Sequence, residues 1–184
     1  MSNCDSRLRN DQLKILQKYI DIDVIGKCGN IKDTLCDARS PDCYTHLAKT
    51  YYYYVAFENS DCADYITEKT WRNSLQAGMV PIVWSLTVDH ASMLPPQSYI
   101  SLTDYSSIKI AAGAIATTAQ HAQLYQRYHT WRKYYDIEVP SPIDHAESLC
   151  KYAHQHRVEA MPPVDLYSMR SFKRCNMNPA REII

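Results

Sequence analysis

The chain has 184 residues, which is enough for one domain of ordinary size with a sizeable core. Lys plus Arg and Asp plus Glu both number 20, so the formal net charge is zero, and nucleic acid is excluded as an expected partner because it requires a basic surplus or a basic face. No apolar run reaches the length of about 18 residues that predicts a membrane-spanning helix.

The first half of the chain carries one clear amphipathic helix and one strong strand. Apolar residues at helical spacing predict a helix over residues 10–20, capped by Asn10 or Asp11. A short strand at residues 23–25 is expected to run into a glycine loop. The aromatic and β-branched run at residues 51–57 predicts the next strand.

Strands and helices then alternate, which is the pattern of an α/β fold. The order predicts a Rossmann-like parallel sheet with helices on both faces. The expected elements are a helix at 64–77 ended by Gly78, strands at 80–84 and 99–102, helices at 105–118 and 121–135, and a short helix near 144–155.

Polar residues cluster where the strand at 51–57 gives way to the predicted helix at 64–77. Ligands of open α/β sheets bind beyond the carboxyl ends of strands, and helix N-termini attract phosphates. Helical spacing would place four side chains on one face: Tyr65, Glu68, Lys69 and Arg72. Lys69 would neutralise diphosphate charge, and Glu68 would accept hydrogen bonds from sugar hydroxyls. The alternative is an ordinary solvated face with a Glu68–Arg72 pair.

Residues 53–81, YYVAFENSDCADYITEKTWRNSLQAGMVP, resemble the signature of the α1,3-fucosyltransferases, glycosyltransferase family 10. That signature has a strand ending in FENS, a spacer, DYITEK and then AGxVP. Flanking segments are also similar to the family pattern, and the resemblance covers residues 2–155 and extends to Cys175. The matching flanks are Ser2 and Asn3 with Arg9, residues 23–29, 95–100, 125–133 and 149–154.

The resemblance implies the C-terminal half of a GT-B glycosyltransferase. Residues 1–140 would form the GDP-fucose-binding domain and residues 141–184 a C-terminal extension. Arg9 and Lys69 would contact the diphosphate. The ribose, phosphate or fucose would be held by Asn59, Ser60, Tyr65 and Glu68. The implied reaction is inverting transfer of fucose to an N-acetylglucosamine hydroxyl of a glycoprotein glycan in α1,3 linkage.

The same resemblance implies that this chain carries no catalytic base. In the family the base is a carboxylate from an N-terminal acceptor domain, and the matching segment here begins at residue 2, so we expect that domain to be absent. The complete protein would be a type II membrane protein of the Golgi lumen. No cofactor is required, no metal site is expected, and stimulation by Mn²⁺ is compatible with the family.

Seven cysteines leave two interpretations open, scattered buried thiols or disulfides of a secretory compartment. No pair has the CxxC spacing of a zinc site. We predict a disulfide between Cys150 and Cys175. Cys62 is expected to be buried or disulfide-bonded rather than a nucleophile.

The chain departs from the family pattern at several positions. Ser85 stands where the family has Gly, His90 or Ala91 replaces a Tyr, and residues 116–120 replace acidic and Asn residues. The departures at Ser85 and residues 116–120 motivate one alternative, a non-catalytic binding module that has lost donor binding, although Tyr65, Glu68 and Lys69 remain. Another is an unrelated nucleotide-sugar transferase with the same half-fold, which a preference for uracil over guanine would reveal.

Overall fold

A three-stranded parallel sheet forms the centre of the computed structural model, which describes residues 6–26, 29, 31, 40, 42–138, 142–155 and 175. The strands lie in the order β1 (Tyr53–Val55), β2 (Val80–Val83) and β3 (Ile100–Ser101). Tyr53 is in register with Val80, and Ile82 is in register with Ile100. The predicted parallel sheet is confirmed, although each strand is shorter than its apolar run.

The described residues also form six α-helices, one π-helix and two 3₁₀ turns. The α-helices are α1 (Arg7–Leu16), α2 (Cys43–Leu47), α3 (His90–Met93), α4 (Ile108–Gln120), α5 (Ala122–Arg127) and α6 (Pro142–Gln155). A π-helix spans Trp71–Gln76, and 3₁₀ turns span Leu102–Asp104 and Thr130–Lys133. None of the described helices is long and apolar enough to cross a membrane.

The central strand β2 is buried along its whole length, as its unbroken apolar sequence predicts. Neighbouring residues of a strand point to opposite faces, so successive side chains along β2 pack against opposite sides of the sheet. Val80 and Ile82 join the main core with Leu16 of α1 and Ile115 of α4. Met79, at the start of β2, packs instead with Cys43 and Leu47 of α2. The sheet is therefore covered on both faces.

The structure corrects the predicted start of the helix at residues 10–20 and the strand at 23–25. Helix α1 begins at Arg7 with Ser6 as its N-cap, so Asn10 and Asp11 lie inside the helix rather than at its cap. In place of a strand there is one isolated bridge between Ile25 and Ile31. The matching segment at Ser2 and Asn3 lies outside the described residues.

The predicted helix at residues 64–77 is wrong in its first half. Asp64 has a φ of 63°, in the left-handed region that interrupts a right-handed helix. Thr67 binds the carboxylate of Glu58 through both its N–H and its hydroxyl, so a side chain supplies the partner that a helix would require from the backbone. Only Trp71–Gln76 is helical.

The two late helices are confirmed with different ends, since α4 begins at Ile108 and α5 ends at Arg127 before a 3₁₀ turn. The short helix near 144–155 is confirmed as α6.

The predicted Cys150–Cys175 disulfide is wrong. Cys175 is bonded to Cys62, and an isolated antiparallel bridge between these two residues brings their backbones together. Cys150 is a free thiol on the exposed helix α6. Cys43 is also disulfide-bonded. The interpretation with disulfides is therefore confirmed over that of scattered thiols, and so is the disulfide-bonded state expected of Cys62.

Candidate functional site

A network of charged and hydroxyl groups follows β1 and orders the loop that leads to the π-helix. The Glu58 carboxylate accepts a hydrogen bond from the Thr67 N–H at 2.7 Å. The Lys69 ammonium donates to Glu58 Oε2 at 2.8 Å and to the Thr67 hydroxyl at 2.7 Å. The Lys69 and Glu58 side chains are only 18% and 12% exposed, so their ion pair is shielded from water. Lys69 is thereby held in one place before any ligand binds.

Glu68 forms the second acidic partner of Lys69, with Oε1 at 3.5 Å from the ammonium, and its side chain is half exposed. Partial burial acts to raise the pKa of the Glu68 carboxyl, but the Lys69 charge and hydrogen bonds outweigh it, so the pKa lies below its ordinary value. Arg72 donates to Asn73 at 3.3 Å. The single helical face predicted for these side chains is therefore wrong, and Glu68 pairs with Lys69 rather than Arg72.

Asn59 joins the start of α1 to the same loop. The Tyr65 hydroxyl donates to Asn59 Oδ1 at 3.0 Å, and the Ser6 hydroxyl donates to the Asn59 backbone oxygen at 2.9 Å. Arg9 lies one turn beyond Ser6 on α1. Of the residues predicted from sequence, the structure thus brings Asn59 and Tyr65 into contact, and the helix that carries Arg9 is anchored beside them.

A shallow, solvent-open cleft lies beyond the carboxyl ends of β1 and β2, the edge at which α/β sheets bind ligands. Two of the predicted residues, Ser60 and Tyr65, line it together with Glu58. Its other wall comes from the end of β2 and the loop that follows, through Trp84, Ser85 and His90. The cleft therefore lies between the Glu58–Lys69 network and the β2–α3 loop.

Ser85, a departure from the family pattern, is integrated into the structure. Its hydroxyl donates to the buried Asp61 carboxylate and accepts the Val88 N–H at 2.8 Å. Asp61 also accepts from the Thr87 hydroxyl at 2.8 Å and the Leu86 N–H at 3.1 Å. A glycine would lack the hydroxyl that organises this loop, so the substitution adds contacts.

The β2–α3 wall has two polar groups for which the sequence offered no role. His90 packs its ring against Tyr99 at 5.8 Å. Burial lowers the pKa of His90, and the nearby carboxylates of Asp104, Asp61 and Asp89 oppose this without reversing it. The indole Nε1 of Trp84 is buried and has no hydrogen-bond partner in the part of the chain that the structure describes.

Sequence reasoning missed four residues of the site: Glu58, Asp61, Trp84 and His90. Glu58 and Asp61 flank Asn59 and Ser60 in the quoted signature, which was the available signal, but their partners lie 9 and 24 positions away. Within the described residues, no group of three or more His, Cys, Asp or Glu side chains could hold a metal ion.

Comparison with known proteins points to one family. A family model described as glycosyltransferase family 10 (fucosyltransferase) C-term matches residues 1–167. The chain is 36% identical over 163 residues to glycoprotein 3-alpha-L-fucosyltransferase A of Drosophila melanogaster, a match that covers 82% of this chain and 31% of that protein. It is 34% identical over 138 residues to alpha-(1,3)-fucosyltransferase fut-1 of Caenorhabditis elegans, covering 74% and 31% respectively.

The fold is also similar to a solved structure. The crystal structure of an alpha1,3-fucosyltransferase superposes with a TM-score of 0.59 and 16% identity, over 90% of this chain and 48% of that one. The chain spans about a third of the length of these two curated relatives.

Proposed function

The chain belongs to glycosyltransferase family 10, the fucosyltransferases, and we propose that it is the domain that binds GDP-fucose in an α1,3-fucosyltransferase. The observation that carries this proposal is the ordered Lys69, whose ammonium is held by Thr67 and by Glu58, a residue that lines the cleft. A cation that is already ordered can neutralise a diphosphate without a further loss of side-chain entropy.

Two cations share the diphosphate in this proposal. Lys69 already has two carboxylate neighbours, Glu58 and Glu68, so this trio carries a net charge of −1 when ionised. A diphosphate therefore needs a second cation, and we assign that role to Arg9 on α1. Asn59, Ser60, Tyr65 and Glu68 then bind the ribose, phosphate or fucose hydroxyls through hydrogen bonds.

The proposed reaction inverts the configuration of the fucose anomeric carbon. A hydroxyl of N-acetylglucosamine on a glycoprotein glycan forms the new C–O bond, and the bond from fucose to GDP breaks. Negative charge then develops on the leaving diphosphate, where Lys69 and Arg9 stabilise it. The hydroxyl proton passes to a carboxylate base, which we assign to the acceptor domain of a GT-B enzyme rather than to this part of the protein.

The division of the chain and its cellular location are also proposals. Residues 1–140 would form the donor-binding domain and residues 141–184 an extension, which the Cys62–Cys175 bond ties to the loop beside the cleft. Disulfides persist in oxidising compartments, which supports a lumenal location. The assignment to the Golgi and to a type II membrane protein follows from the family alone. Donor binding would need no metal, and chelation before a GDP titration tests this.

Calorimetric titration of the 184-residue chain with GDP and UDP tests the proposed function. We expect GDP to bind in preference to UDP, and Lys69→Ala to weaken GDP binding about 10–100-fold because a charge-assisted contact is lost. Lys109→Ala, on the exposed side of α4, is the matched control and should bind GDP as the unaltered chain does. A folded chain that binds no GDP would instead favour the non-catalytic module, and preference for UDP would favour a different transferase.

A further inference from the structure

Thr67 lies at the centre of the network that orders Lys69. Its hydroxyl donates to the Glu58 carboxylate at 2.8 Å and accepts a hydrogen bond from the Lys69 ammonium at 2.7 Å. A hydroxyl has one hydrogen to donate and lone pairs with which to accept, so Thr67 can join a carboxylate to an ammonium. The Thr67 N–H also donates to Glu58 at 2.7 Å, which holds the backbone of Thr67 itself. Thr67 therefore helps to determine where the Lys69 ammonium lies.

The Lys69 ammonium has one N–H that is only loosely bonded. An ammonium has three hydrogens to donate. Among the described residues, Glu58 Oε2 at 2.8 Å and the Thr67 hydroxyl at 2.7 Å accept two of them, and the remaining contact is to Glu68 Oε1 at 3.5 Å. The Glu68 side chain is half exposed, whereas that of Glu58 is only 12% exposed. A phosphate oxygen can therefore replace Glu68 on Lys69 while Glu58 and Thr67 stay in place.

The Glu58 carboxylate would repel that phosphate. Two oxygens that both accept a hydrogen bond from one nitrogen lie at most roughly 6 Å apart. At this separation near a protein surface, the repulsion of two unit charges changes an equilibrium constant on the order of 10–100-fold, and salt reduces the effect. Glu58 also lines the cleft, so a ligand bound there lies close to its charge. Glu58 therefore opposes the attraction that Lys69 exerts on an anion.

We propose that Thr67 and Glu58 have opposite effects on diphosphate binding: Thr67 is a positioning residue that strengthens it by fixing the Lys69 ammonium, and Glu58 weakens it by offsetting the lysine charge. This inference rests on the proposed function. GDP is the product that must leave after fucose transfer, and product release limits the turnover of many enzymes. A lysine that is ordered but partly neutralised binds the diphosphate in one geometry without retaining the product.

Calorimetric titration with GDP tests the role of Thr67. Thr67→Val keeps the shape of the side chain and the backbone N–H that binds Glu58, but it lacks the hydroxyl. We expect GDP affinity to fall about 3–10-fold, the usual worth of one hydrogen bond, and Thr67→Ser to restore it to within about twofold. Thr117→Val, which removes a hydroxyl that bonds to Gly113 within α4, is the matched control and should leave GDP affinity unchanged. Equal affinities of Thr67→Val and the unaltered chain would overturn this role.

Glu58→Gln gives a readout that a purely structural role would not produce. Glutamine keeps an acceptor oxygen but removes the charge, so GDP should bind about 3–10-fold more tightly, with a smaller gain at higher salt. Glu147→Gln makes the same change of net charge in an exposed pair with Lys151 and should not alter GDP affinity. Unchanged or weaker GDP binding by Glu58→Gln, in a chain that circular dichroism shows to be folded, would overturn the role of Glu58.

Lys69→Ala separates a failure of this inference from a failure of the proposed function. If Lys69→Ala weakens GDP binding while Thr67→Val and Glu58→Gln leave it unchanged, the inference fails and the donor site stands. If the unaltered chain is folded and binds no GDP, both fail. If Thr67→Val does not fold, Glu58→Gln still decides the proposal, because tighter GDP binding supports it and weaker binding overturns it.

Discussion

Two regions of the molecule are stabilised by different interactions. One is the central strand with its covering helices, and the other is the loop between β1 and the π-helix. Val80 and Ile82 of β2 are held by burial against α1 and α4, and their apolar sequence alone identifies them as core. The loop of residues 57–70 is held by side-chain hydrogen bonds centred on Glu58, whose partners lie up to 11 positions away. Stability is therefore expected to come mainly from the first region, and ligand binding from the second.

The largest expected effect is in the core. Ile82→Ala removes a side chain that is 1% exposed, and we expect the free energy of unfolding to fall by about 2–5 kcal/mol because a cavity remains. Ile110→Ala on the outer face of α4 is the control and should change it by less than about 0.5 kcal/mol. Urea denaturation followed by circular dichroism measures both, and equal effects would contradict the assigned core.

The disulfide that anchors the loop comes next. Cys175→Ser should lower the free energy of unfolding by about 2–4 kcal/mol because Cys62 and Cys175 close a large loop of 113 residues. Cys150→Ser, which alters a free thiol, should have almost no effect. Mapping of disulfides by mass spectrometry provides an independent check, since a Cys150–Cys175 peptide would contradict the structure.

The shielded Glu58–Lys69 ion pair should contribute less to the free energy of unfolding than a core side chain, and more than an exposed ion pair. Glu58→Gln leaves the partly buried Lys69 without its nearest carboxylate, so we expect a loss of about 1–3 kcal/mol in unfolding free energy. The exposed pair of Glu147 and Lys151 on α6 has the same 2.8 Å separation, and Glu147→Gln should cost less than about 1 kcal/mol. Thermal melts compare the melting temperatures of the two variants. A larger decrease for Glu147→Gln than for Glu58→Gln would contradict the claim that shielding from water strengthens the Glu58–Lys69 pair.

The smallest effect is the pH dependence that His90 contributes. Its pKa in the folded chain is below the ordinary value of 6.5, so the unfolded chain takes up the proton first as pH falls. Stability linked to His90 is complete above pH 6.5 and is lost as pH falls towards the folded pKa. The carboxylates of Asp61, Asp89 and Asp104 favour the protonated imidazole, so they reduce the shift in the His90 pKa and the stability that is lost with it. His90→Gln should therefore flatten the fall in melting temperature below about pH 6.5, and an unchanged profile would contradict a buried neutral imidazole.

The regions that the sequence predicted well are those that local pattern determines. The apolar runs at β2 and β3 and the helical pattern of α4 identified the sheet and its cover because burial follows from residue type and period. The start of the predicted helix at 64–77 was wrong because Asp64 takes a left-handed backbone and Thr67 binds Glu58, and neither feature is visible in a local pattern.

The site was only partly predictable for the same reason. The signature at residues 53–81 identified the family, and the match of residues 1–167 to the family model confirms it. Cysteine pairing depends on which backbones meet, so seven cysteines could not reveal that Cys62 pairs with Cys175. The indole N–H of Trp84 has no hydrogen-bond partner among the described residues, which is a consequence of packing and has no sequence signal.

The most direct test of the donor site is a structure of the chain bound to GDP. The account predicts a phosphate oxygen within hydrogen-bond distance of Lys69 Nζ, roughly 2.7–3.2 Å, with the diphosphate beyond the carboxyl end of β1. GDP bound elsewhere, with Lys69 still bonded to Glu58 and Thr67 alone, would contradict it.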